Sequence, residues 1–163
     1  MAVTDELLKN NEAYAAGFAS SVLPMPPGRH VAVVACMDAR LIPSRILGLE
    51  EGEAHIIRNA GGMAKDALRS LVISQRLLGT NEVIVIHHTD CGMLTFKNED
   101  LYAKVQEDLG ADASSIDFLP FADLEQSVRD DLALLSDSPL IADDVSVRGF
   151  IFDVKTGKLQ EVS

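Results

Sequence analysis

His30-Val31-Ala32-Val33-Val34-Ala35 and, further along, Glu82-Val83-Ile84-Val85-Ile86-His87 are the stretches that decide the fold. Both are unbroken, largely β-branched runs. A strand with one wet face alternates apolar and polar residues, so a continuous apolar run suits a strand covered on both faces, as in a parallel sheet. Ala54-His55-Ile56-Ile57-Arg58 reads as a further strand between them. Between that strand and Glu82, the segment Ala64–Leu78 places Ala64, Leu68, Leu71, Val72 and Leu78 at helical spacing, and Gly79 supplies a stop. Strand, helix and strand in short order imply right-handed crossovers and a mostly parallel sheet.

Working outward, residues 4–20 read as a helix: Thr4 can cap it, Asp5 and Glu6 sit in its first turn, and Leu7, Tyr14 and Phe18 fall on one stripe. The link Leu23-Pro24-Met25-Pro26-Pro27-Gly28 must end it. Residues 1–28 are therefore expected to form a helical arm and proline-rich link, and residues 29–163 an α/β core. The pattern allows the arm to pack on a neighbouring subunit or to fold back on its own core. Toward the other end, Glu99–Leu109 (closed by Gly110) and Phe121–Ser136 (with Leu124, Val128, Leu132 and Leu135 in a stripe) are expected helices. Val145–Phe152 and Leu159–Val162 flank the turn Lys155-Thr156-Gly157-Lys158 as a terminal strand and short hairpin. The expectation is a single α/β domain with a mostly parallel central sheet flanked by helices.

A chain of 163 residues, 47% of them hydrophobic, is long enough to bury a core of that kind. Its net charge of −11 argues against nucleic acid as a partner, because phosphate backbones need clustered Lys and Arg. The acidic excess, mainly at residues 99–144, reads as a solvated surface. No stretch approaches the roughly 18 consecutive apolar residues of a membrane span, and Met1–Asn10 has no apolar run resembling a signal peptide. A cytoplasmic location is expected. In a reducing compartment the two cysteines, Cys36 and Cys91, are not expected to form a structural disulfide.

Each cysteine lies in a loop that begins where an expected strand ends: Cys36-Met37-Asp38-Ala39-Arg40 after the first, His88-Thr89-Asp90-Cys91-Gly92 after the third. Ligands of open parallel sheets bind at the carboxyl ends of strands, where strand order reverses. His88 and Cys91 are close enough to hold one ion from a single turn, and Cys36 can arrive from an adjacent strand. Zinc favours sulfur and imidazole donors, and catalytic zinc sites use three protein ligands with one position open. A structural four-ligand site would have to recruit His87, His30, His55 or a carboxylate. The bland alternative is two small buried cysteines. A cysteine-dependent phosphatase or sulfurtransferase is disfavoured, since its phosphate loop needs an arginine six positions after the cysteine, and Ile42 stands there.

Cys-x-Asp-x-Arg (Cys36, Asp38, Arg40) followed by His-x-x-Cys-Gly (His88, Cys91, Gly92) resembles the signature of β-class carbonic anhydrases. Gly52-Glu53-Ala54-His55-Ile56-Ile57-Arg58-Asn59-Ala60-Gly61 is similar to a further stretch of that family. The resemblance runs from about Val31 to Gly92. It implies one zinc ion per chain on Cys36, His88 and Cys91, and reversible hydration of carbon dioxide to bicarbonate by hydroxide generated at the metal. It also implies that Asp38 and Arg40 form a dyad in which the planar guanidinium holds the carboxylate off the zinc. Asn59, Ala60 and Gly61 would line the substrate pocket. A homodimer or larger homo-oligomer is implied, with the arm clasping a neighbour.

The chain departs from the family in places. Met37 and Ala39 replace the familiar serines of the first motif, and Met93 follows Gly92 where a small residue is common. Some bacterial members carry a tryptophan just before the first cysteine in an inhibitory bicarbonate pocket; here there is no Trp and Val33 sits in that region, so such regulation is expected to be absent. The nearest rival activity keeps the site and changes the substrate to carbonyl sulfide or carbon disulfide. The non-enzyme alternative is a protein whose zinc is purely structural.

Overall fold

The computed structural model describes residues 2–163. Five strands form one sheet in the order β2-β1-β3-β4-β5. They are β1 (Val31–Cys36), β2 (Ala54–Asn59), β3 (Glu82–His88), β4 (Ser146–Phe152) and β5 (Leu159–Val162). The first four are mutually parallel, and β5 closes an antiparallel hairpin on β4. The helices are α1 (Val3–Ala16), α2 (Pro43–Leu47), α3 (Ala64–Leu78), α4 (Asn98–Leu109) and α5 (Leu124–Ser136). No described helix is long and apolar enough to cross a membrane.

The β1 run is buried at every position because successive side chains enter different cores. Ala32 and Val34 join Ala67 and Leu71 of α3, Val83 and Val85 of β3 and Leu135 of α5. Val33 and Ala35 face the other way, with Leu41, Ile86, Met93 and Phe152. Helix α5 packs tightly on the sheet at Gly149 of β4, where a Cβ would stand 2.4 Å from Val128.

From β1 the chain passes to β2 on one side, then crosses by α3 to β3 on the other. The switch point therefore lies between β1 and β3, with Cys36 ending one strand and His88 the other. A turn of 3-10 helix, Ala60–Gly62, crosses these strand ends. A Cβ on Gly62 (φ +74°) would lie 2.8 Å from the Cys36 nitrogen and 2.9 Å from the Ile86 carbonyl oxygen. Only glycine lets the turn sit there.

Several boundaries differ from the sequence reading. The first helix spans Val3–Ala16, not 4–20, and the residue capping it is Ala2 rather than Thr4. The Asp5 carboxylate reaches back to accept from the Ala2 amide at 3.0 Å, and Gly17 ends the helix. The last helix begins at Leu124, three residues later than expected, because the Asp123 side chain caps the Gln126 amide. The short α2 is an addition. Helix α1 buries none of its residues. The segment is tethered to the core through Glu51, which accepts from the hydroxyls of Tyr14 (3.2 Å) and Ser20.

Candidate metal centre

Cys36 leaves β1, His88 ends β3, and Cys91 opens the short 3-10 turn Gly92–Leu94. All three are buried, and one ligand atom from each lies within 4.8 Å of the others. The His88 ring donates from Nδ1 to the Thr89 carbonyl at 2.9 Å. That bond fixes the tautomer and leaves the Nε2 lone pair facing the sulfurs. Nε2 is buried and has no hydrogen-bond partner. A buried, orphaned acceptor is costly in an apo protein and is what a metal ligand looks like before its metal is counted.

The two thiols behave as a pair. A hydrogen bond from Cys91 is the largest influence pulling the Cys36 thiol down, and the same contact, with burial, pushes Cys91 up. The shared contact thus favours the thiolate at Cys36 over that at Cys91. Burial alone would hold His88 neutral, but its surroundings, chiefly Cys36 and the Thr89 carbonyl, raise its pKa on balance. Two sulfurs and one imidazole nitrogen match zinc's preferred donors, so the residues fit that metal.

The sequence reading considered three other histidines as a fourth ligand, and each is engaged elsewhere. His87 points to the opposite face of β3, where Nδ1 shares a hydrogen bond with Ser127 (2.7 Å) and Nε2 meets the Asp131 carboxylate (3.0 Å). Its ring stacks on Phe121. Asp131 also accepts from the Ala64 amide at 2.8 Å, so this buried network ties the start of α3 to α5 and β3. His30 bonds the Gly79 carbonyl, and His55 bonds Ser74.

Asp38 approaches the site most closely, with Oδ2 3.8 Å from His88 Nε2. It is held there by Arg40. Nε and Nη2 donate to the two carboxylate oxygens at 3.0 and 2.7 Å, and the Arg40 amide adds a bond of 2.9 Å. These bonds keep the carboxyl far below the usual carboxylate range. Asp38 is therefore an ionised, acceptor-only group beside the metal position. Two further contacts were invisible in sequence. Arg58 of β2 donates to the carbonyls of Cys36 (3.0 and 2.8 Å) and Asp38 (2.6 Å), clamping the ligand loop. Asp90 accepts from Arg40 on the side away from Asp38.

Above the donors a cleft is walled by Met37, Ala60, Gly61, Met93, Thr95 and Phe96. Of the three residues expected to line it, Ala60 and Gly61 do. Asn59 faces elsewhere: its amide is taken up by the turn, accepting from the Met63 nitrogen (2.7 Å) and donating to the Met63 carbonyl (2.9 Å). Met93 is buried against Gly61, where a Cβ would meet it at 3.1 Å, so the wall is close-packed.

A family model described as carbonic anhydrase matches residues 31–159. Beta-carbonic anhydrase 1 of Mycobacterium tuberculosis is 52% identical over 165 residues, covering 100% of this chain and 99% of that protein. The crystal structure of carbonic anhydrase from Streptococcus mutans superposes with a TM-score of 0.95 at 49% identity, covering 100% of this chain and 99% of that one. Carbon disulfide hydrolase of Saccharolobus solfataricus is a more distant relative at 32% identity, over 96% of this chain and 87% of that protein. With the Cys-His-Cys donors, the Asp–Arg dyad and the apolar cleft at one switch point, these likenesses agree, and the chain belongs to the β-carbonic anhydrase family.

Proposed function

We propose that this protein hydrates carbon dioxide reversibly to bicarbonate, using one zinc ion per chain held by Cys36, His88 and Cys91. The observation that carries this reading is the buried, unpartnered His88 Nε2 facing two sulfurs, with the nearby carboxylate tied back by arginine. When bound, zinc supplies the Lewis acidity that makes hydroxide available near neutral pH.

The chain's own residues supply the rest. Asp38, held ionised, can only accept a hydrogen bond. It takes the proton side of the attacking oxygen and turns a lone pair toward the substrate carbon. Arg40 keeps that carboxylate from closing on the metal position. Ala60, Gly61, Met93 and Phe96 offer carbon dioxide an apolar wall, which suits a linear molecule with no hydrogen-bond donor. Bicarbonate is charged and well hydrated, so the same wall favours its departure.

Carbon disulfide would fit the same linear slot, and that is the second reading. The full-length match to a carbonic anhydrase at 52%, against 32% for the carbon disulfide hydrolase, favours carbon dioxide. Stopped-flow hydration on zinc-verified protein, from neutral to alkaline pH, tests this with Cys36→Ala as control. Activity lost in the control supports the reading. Inactivity with zinc bound, together with hydrogen sulfide release from carbon disulfide, would replace it.

We further propose a homodimer or larger homo-oligomer in which residues 1–28 form an arm on the neighbouring subunit. The exposed Leu7, Leu8, Tyr14 and Phe18 support this, and analytical sedimentation of a chain lacking the arm, expected to show a smaller species than the parent, would test it. A cytoplasmic location is proposed because two thiol ligands need a reducing compartment.

A further inference from the structure

Asp38 and Arg40 sit on the same loop, two residues apart. A bidentate pair of that kind fixes the carboxylate only relative to its own loop. The metal position, however, is shared with the other loop, which carries His88 and Cys91. Something must set the angle between the two.

Asp90 is placed to do so. It lies between the two ligands of the second loop, with its backbone in the left-handed region (φ +56°). This conformation is unfavourable for most side chains and tolerated by Asp and Asn. Here it lets both the side chain and the carbonyl of Asp90 face Arg40. Arg40 Nη1 donates to Asp90 Oδ2 at 2.7 Å, and Nη2 donates to the Asp90 carbonyl at 3.0 Å. The guanidinium is thus gripped on both edges, by Asp38 on one loop and by Asp90 on the other.

The grip matters because Arg40 is not held by burial. Its side chain is 46% exposed, and those of Asp38 and Asp90 are 19% and 74% exposed. Without Asp90 the arginine can swing outward and carry its hold on Asp38 with it. Asp38 Oδ2 already lies 3.8 Å from His88 Nε2, so a small rotation brings it within reach of a metal there.

We propose that Asp90 is a positioning residue: by bracing Arg40 across the two loops it keeps Asp38 off the metal and the fourth coordination position open. The proposal rests on the zinc carbonic anhydrase reading. Asp90 is absent from the walls of the cleft, and its contact with the site runs through Arg40.

The test uses cobalt-substituted protein, whose visible absorption reports the number and kind of donors, alongside carbon dioxide hydration by the zinc form. Asp90→Ala is expected to alter the cobalt spectrum toward carboxylate ligation. It should also lower kcat about two- to fivefold, the scale of one exposed charge-assisted contact. Removing the carboxylate in Asp90→Ala/Asp38→Asn should return the spectrum to the parent's. Asp90→Asn keeps an acceptor oxygen and a tolerated backbone, so it should fall between the parent and Asp90→Ala, and it serves if Asp90→Ala does not fold. A parent-like spectrum in both single variants overturns the proposal. So does an altered spectrum that persists after Asp38 is removed, since that would mean general loop damage. An inactive parent protein with zinc bound would sink the carbonic anhydrase reading instead, and the cobalt spectra would still decide the role of Asp90.

Discussion

Gly62 is the residue on which the ends of β1 and β3 close, and Gly62→Ala should be among the most damaging single-methyl changes in the chain. Two costs add. The backbone there has φ +74°, which for an alanine costs about 1–2 kcal/mol. The new methyl would also stand 2.8 Å from the Cys36 nitrogen, 2.9 Å from the Ile86 oxygen and 3.0 Å from the Ala35 carbonyl carbon. All three are main-chain atoms of paired strands, so no side chain can rotate away. Overpacking of that kind costs about 1–3 kcal/mol, for a total of about 2–5 kcal/mol. Gly48 gives the control. Its φ is +65°, and nothing lies within 4 Å of a Cβ built on it. Gly48→Ala therefore carries the strain alone, and the return of about 0.4–1 kcal/mol from stiffening the unfolded chain applies to both variants and cancels in the comparison. Urea unfolding of the zinc-loaded proteins at one fixed concentration measures both. Gly62→Ala should be the weaker by about 1–3 kcal/mol, and it should also hold zinc less tightly, because the displaced atom belongs to a ligand residue. Equal losses for the two variants, within about 0.5 kcal/mol, would refute the close-contact argument.

Other expectations follow from individual contacts. Gln75 of α3 is buried with neither amide atom hydrogen-bonded, so Gln75→Leu should raise stability by about 1–2 kcal/mol in the same urea assay. Asp131→Ala strips the acceptor from both His87 and the Ala64 amide in a fully buried setting; a loss of about 2–4 kcal/mol is expected from the unfolding midpoint. Asp117 is held at about 2, below its ordinary 3.8, first by the Asn98 side chain and then by the Leu119 amide and Lys65. A carboxyl lowered on folding contributes stability above its unfolded value and loses it as pH falls through the folded one. The parent's advantage over Asp117→Asn should therefore shrink between about pH 4 and pH 2, read as converging urea midpoints. Asp38→Asn should cut hydration at least about tenfold while zinc content by metal analysis stays at one per chain.

The sheet was legible because its strands are short, apolar and β-branched, and α3 because its stripe and closing glycine agree. Local signals failed where a contact from a distance, or a very short element, decided the outcome. Helix α1 stops at Ala16 because Gly17 follows. Helix α2 spans only Pro43–Leu47, too few residues to show a period. The cluster of candidate metal donors was readable because each sits at or just beyond a strand end. Arg58 and Asp90 were not, since their partners are set by the β1–β2 register and by the meeting of two loops across the switch point. Ser127 and Asp131 left a faint trace, two polar residues four apart beside the apolar stripe of α5, that acquires meaning only once His87 is seen against them.

Because Cys36 and His88 meet only when β1 lies beside β3, with β2 and α3 already looped between them, no local fragment of the chain contains the metal centre. A nascent polypeptide still short of Cys91 has two donors at most, and it competes poorly for zinc against fully formed sites elsewhere in the cell. A metal on these three donors is therefore expected to bind only once the parallel pairing of β1 and β3 has formed. Damage to that pairing should appear first as escaping zinc, while the helices still give their full circular dichroism signal.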